Sequence, residues 1–168
     1  MIHVDRAGDP HALVAALADP ERREAAFAEL VALGSGARAA VRAGLGDGRW
    51  EVRRWCVVWF WRHAEPEDLP LLLPLLRDPR SKVRHIAVVT VGHARGAPDA
   101  VPLLLERALE DESLRVRRQA VLLLAWEHAH PDLEGFFAGL LATERDATLH
   151  KYAGIGLLRS RSAEKASC

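Results

Sequence analysis

The sequence predicts an all-α repeat protein built from about five helix pairs. Three observations lead there. The stretch Asp78 to Gly92, DPRSKVRHIAVVTVG, recurs as DESLRVRRQAVLLLA from Asp111 to Ala125 and as DGRWEVRRWCVVWFW from Asp47 to Trp61. In each copy an acid stands five positions before a Val-Arg pair and a small residue (Cys56, Ala87, Ala120) four after the valine. The anchors Val52, Val83 and Val116, with Leu149 in a fourth copy, lie 31, 33 and 33 residues apart. A fixed period of this size is the signature of stacked supersecondary units.

Each anchor is followed by apolar or small residues at +4 and +8: Cys56 and Phe60, Ala87 and Val91, Ala120 and Leu124, Ala153 and Leu157. That spacing puts them on one helical face. A second apolar helix is expected between anchored ones, at Leu69–Leu76, Val101–Leu109 and Leu133–Leu141. Pro66, Pro98 and Pro131 precede these segments, where a missing N–H costs little, and the acids beside them suit the helix dipole. Pro74 lies inside its segment and should kink it. Upstream, His11–Leu17 and Ala37–Leu45 read as short first helices. Glu21–Leu33 reads as a second helix closed by Gly34. The expected units are 9–34, 35–64, 65–95, 96–129 and 130–161, forming one domain over 1–161, with 162–168 as a flexible tail.

The DPxxxVRxxAxxxLG pattern resembles the HEAT-repeat family, including the bacterial short form known as phycobilisome-lyase-like repeats. The likeness covers nearly the whole chain and is strongest in units three and four. Unit one lacks the Val-Arg pair, and unit five has Leu149-His150 in its place. Degenerate end units fit a solenoid, whose end units need a polar outer face. The resemblance implies a right-handed α-α superhelix in which the second helix of each pair lines a concave groove. It also implies a structural ladder, with Asp47, Asp78 and Asp111 in the turns reached by Arg53, Arg84 and Arg117 through charge-assisted hydrogen bonds.

With the anchor as zero on a helical wheel, positions +2, +6 and +10 lie opposite the buried face, flanked by +3. In units two to five, column +2 reads Arg54, His85, Arg118, Lys151, and column +10 reads Arg62, His93, Trp126, Arg159. Column +6 reads Val58, Val89, Leu122, Ile155, and column +3 reads Trp55, Ile86, Gln119, Tyr152. The expected groove therefore has two mostly basic ridges beside an apolar, partly aromatic floor. First helices carry the opposite sign: residues 64–78 and 96–111 each sum to −3, against +4 for 79–95. Trp50, Trp55, Trp59 and Trp61 crowd one helix. Core filling is their default role, but Trp61 sits at +9, where the other copies hold Gly92 and Ala125. His63, His93 and His128 fall near helix ends, where an imidazolium caps the dipole.

Bulk properties narrow the function. Lys+Arg and Asp+Glu are both 23, so no overall basic charge announces a nucleic-acid binder. Neither Cys56, expected as a small core residue, nor Cys168 at the end suits a structural disulfide, which points to a reducing, cytoplasmic setting. No apolar run reaches the ~18 residues of a membrane span. Phosphate-loop, dinucleotide and nucleophile-elbow motifs are missing, and the His128/His130 pair has no supporting ligands, so neither a catalytic nor a metal site is expected. HEAT-like DNA glycosylases resemble the chain, but their chemistry requires a carboxylate in the groove. Columns +2, +3, +6 and +10 of units two to five contain none. The reading is thus a non-enzymatic, cofactor-free scaffold that takes an acidic, partly hydrophobic protein or peptide in its groove. The alternatives are a nucleic-acid-binding module related to those glycosylases and an accessory subunit of a cofactor-modifying enzyme.

Overall fold

The computed structural model describes residues 8–93 and 100–166, with side chains through 163. The expected helix start at Pro98 and Asp99, and Cys168, lie outside the described residues. Among the described residues every regular element is helical. The chain divides into two compact units, 1–72 and 73–168, where the sequence suggested a single domain over 1–161.

The first unit holds α1 (Pro10–Ala16), α2 (Arg23–Leu33), α3 (Arg38–Gly44), α4 (Trp50–His63) and α5 (Leu69–Leu72). Asp9 caps α1 by accepting from the amides of His11 and Ala12 at 3.2 and 3.3 Å. Gly34 closes α2 at φ +52°, a conformation that a side chain resists. Leu17, Leu30, Val41, Val52, Cys56 and Phe60 are fully buried and form the core. The anchor Val52 and its +4 and +8 partners are thus where the periodicity placed them.

One buried polar centre escaped that periodicity. Asp68, read from the sequence only as an acid matched to a helix dipole, is completely buried. Arg42 donates to its Oδ1 from Nε at 2.8 Å and Nη2 at 2.5 Å, and Arg38 donates to its Oδ2. The Glu65 amide adds a bond of 3.0 Å. Burial pushes the Asp68 carboxyl up, but the Glu65 amide and the two guanidinium groups outweigh it and leave it below its usual range. Arg38 also donates to the His63 carbonyl at 2.8 Å, which ties α3 to the end of α4.

The second unit opens with a 3-10 segment, Leu73–Arg77. The α-helix gives way there because Pro74 has no N–H to continue the ladder. Then come α6 (Ser81–Gly92), α7 (Ala100–Glu110), α8 (Leu114–Trp126), α9 (Glu134–Thr143) and α10 (Ala147–Ala166). α8 packs on α6, α7 and α10, so α6, α8 and α10 lie side by side. The core holds Val83, Ala87, Val91, Val116, Ala120, Leu124, Leu149 and Ala153. The fifth copy departs from the expected register. Leu157 is only half-buried, while Gly156 and Ser160 are buried, with Gly156 tight against Phe137. α10 also continues through Ala166, past the boundary expected at 161.

The turn acids are wired differently from the expected ladder. Asp47, Asp78 and Asp111 each accept the amide two residues on, at 2.8, 2.8 and 2.9 Å. Arg53, Arg84 and Arg117 do reach their own copy's aspartate, but at its backbone carbonyl, at 2.8, 2.9 and 2.8 Å. The Asp111 carboxylate instead takes Arg84 from the preceding copy, at 2.7 and 2.9 Å. An arginine six residues on spans the turn to the carbonyl, and in Arg84 the remaining N–H groups reach the following copy.

Candidate binding faces

In the second unit the outward columns form one face across α6, α8 and α10. Ile86, Val89, Gln119, Leu122, Tyr152 and Ile155 are half-buried along it. His93, Lys151, Trp126 and Arg159 are exposed, Trp126 at 48%. The Arg159 guanidinium carbon stands 4.9 Å from the Trp126 ring centroid, and its Nη2 donates to the Trp126 carbonyl at 3.2 Å. This is a cation–π stack pinned by a backbone hydrogen bond.

The basic ridge is less free than its sequence implied. Arg118 donates to Asp146 from Nε at 3.0 Å and Nη2 at 2.5 Å. That fork, with the amides of Leu149 and Thr148, holds the Asp146 carboxyl down to about 2. His93 lies 3.6 Å from the Glu127 carboxylate. Asp146 and Glu127 were missed because neither stands in an outward column. Asp146 precedes its anchor Leu149 by three positions rather than five, and Glu127 follows Trp126 at +11. A search of the turns for acids, rather than of the helix faces, would have found Asp146. Arg54 and His85 are engaged by other groups as well.

In the first unit α4 carries Arg54, Trp55, Val58 and Arg62. The tryptophan cluster splits. Trp59 is core at 1% exposure and donates from Nε1 to the Leu30 carbonyl at 3.1 Å. Trp55 is half-buried beside Phe27 with centroids 4.8 Å apart, and Arg54 lies 5.2 Å over its ring. Trp61 is 49% exposed with Arg62 5.7 Å from its centroid. Trp61–Arg62 in this unit and Trp126–Arg159 in the other are each an exposed indole under a guanidinium.

His128 closes the end of another helix, and His63 lies against Trp59 in the last turn of its own. His128 Nε2 donates to the Gly92 carbonyl at 2.7 Å, closing the end of α6 rather than of α8. His63 has its Nδ1 buried without a hydrogen-bond partner, and its ring lies 4.4 Å from that of Trp59. Burial pushes this imidazole's pKa down, and Arg38 and Arg62 add to the effect. Burial pushes the Cys56 thiol up to about 12, which makes it a poor nucleophile. Among the described residues no cluster of three or more His, Cys, Asp or Glu side chains could hold a metal ion, and no helix is long and apolar enough to cross a membrane.

HEAT repeats match residues 38–125 and 69–151, together most of the chain. The chain belongs to the HEAT-repeat family. Among solved structures, 14 chains match it. One is the crystal structure of an engineered protein from the Northeast Structural Genomics Consortium, 18% identical, with a TM-score of 0.59 over 92% of this chain and 72% of that one. At that identity the likeness shows the fold alone, an all-α HEAT-like solenoid. No curated protein matches this HEAT-repeat chain. Family and fold together make it a repeat scaffold.

Proposed function

We propose that this HEAT-repeat chain is a non-enzymatic scaffold whose α6–α8–α10 face takes up a segment of another protein that is acidic and partly hydrophobic. The observation that carries the reading is the exposed Trp126 stacked under Arg159 at the end of a half-buried apolar row. Exposed aromatic side chains beside arginine are the composition of binding hot spots, and a half-apolar floor suits anchors set in pockets. Lys151 and Arg159 supply the positive charge that an acidic segment would meet. The pairing of Arg118 with Asp146 interrupts the continuous positive track that a phosphate backbone needs, which favours protein over nucleic acid.

Affinity capture from lysate, with and without nuclease, tests this. Wild type is compared with Tyr152→Ala/Lys151→Glu, both first shown to be folded. Support is a captured protein that survives nuclease and is lost in the variant. Capture that disappears with nuclease, or that the variant retains in full, ends the proposal.

A further inference from the structure

We infer that Arg159, held over Trp126 by the ring and by the Trp126 carbonyl, reads a carboxylate in the bound segment, while the uncovered part of the indole takes the apolar side chain next to it. This rests on the scaffold reading above and names the chemistry of its anchor. Several arginines of the second unit already have acids: Arg77 has Glu106, Arg84 has Asp111, Arg118 has Asp146 and Arg161 has Glu134. Among the described residues no acid reaches Arg159. Its contacts are the Trp126 ring and the Trp126 carbonyl, and the carbonyl takes one N–H from a group with five.

The stack does more than shield charge. A guanidinium that is bonded to a carbonyl and held over a ring has lost part of its freedom before binding, and its remaining N–H donors stay available as a fork. A fork held before binding loses little freedom when a carboxylate engages two of its hydrogens. A lysine on the same backbone would supply charge without the fork. Trp126 remains 48% exposed under its arginine, and that uncovered apolar area adjoins the carboxylate position. The ligand that fits is an Asp or Glu side chain with an aliphatic neighbour in a protein segment. A lone anion would leave the indole unused, and a nucleic acid phosphate would bring no aliphatic partner.

The probes are an acetylated, amidated peptide alternating leucine with Asp and Glu, and its Asn and Gln counterpart. Binding to the full chain is followed by NMR at the Trp126 indole N–H and the Arg159 Nε–H, assigned with Trp126→Phe and Arg159→Lys. Both side chains are exposed, so these variants leave the core intact. The acidic peptide should shift both signals saturably and bind roughly tenfold tighter than the amide peptide, in keeping with charge-assisted forks. Arg159→Lys should lose about that factor for the acidic peptide and little for the amide one. Equal binding of the two peptides, unchanged affinity in Arg159→Lys, or shifts with inorganic phosphate or a single-stranded oligonucleotide but with neither peptide would overturn the inference. If Tyr152→Ala weakens peptide binding while Arg159→Lys does not, the face binds segments and only the carboxylate assignment falls.

Discussion

Arg84 and Asp111 form a buried fork, Nε to Oδ2 at 2.7 Å and Nη2 to Oδ1 at 2.9 Å, that joins two successive repeats. Both side chains are almost wholly out of solvent. A buried pair of this kind contributes little over an apolar replacement of both partners, yet losing one partner strands the other's charge. Asp111→Ala should therefore cost roughly 3–5 kcal/mol by chemical denaturation, since the Ser113 amide also loses its acceptor. A loss below about 1 kcal/mol would mean that solvent reaches Arg84 more easily than its burial indicates.

His63 sets an acid limb for stability. Its folded pKa lies below the ordinary 6.5, so the folded state prefers the neutral ring. The resulting stability is fully present above 6.5 and is lost as pH falls from 6.5 through the depressed folded value. The denaturation midpoint of wild type should drop across that window, whereas that of His63→Gln should stay level. A parallel drop in both proteins would assign the titration elsewhere.

Gly92 tests how tightly α6 lies on α8. A Cβ there would fall 2.4 Å from Leu123 Cδ1 and 3.0 Å from its Cβ. Gly92→Ala should destabilise by about 1–3 kcal/mol through overpacking, although alanine is the better helix former. Leu123→Ala in the same chain should recover part of that loss. Thermal melts of the single and double variants decide it, and a more stable Gly92→Ala would show that the helices separate at little cost.

Removing 130–168 deletes α9 and α10 and uncovers the side of α8 that packs on α10. Each repeat buries its face only against its neighbours, so the truncated chain should aggregate or melt far lower. A soluble, cooperative fragment with an unchanged melting temperature would contradict the packing.

The helical class, the family and the deep positions were legible from one strand of reasoning. Val52, Val83, Val116 and Leu149 are buried because a sequence period close to 3.6 selects one helix face whatever stands next to it. The outward columns were equally legible as positions, and Lys151, Trp126 and Arg159 do lie exposed. Their chemical state was not. Whether Arg118 is a free cation depends on Asp146, which comes from a turn 28 residues away. Whether Asp68 is a surface acid or a buried hub depends on Arg38 and Arg42, in a helix that precedes it by 30 and 26 residues. Leu157 and Gly156 exchange depth because the Phe137 ring occupies the space in front of Gly156. Periodicity is a property of a single helix and survives in the sequence. Charge pairing and close packing are properties of two helices, and only the tertiary structure decides which two residues meet.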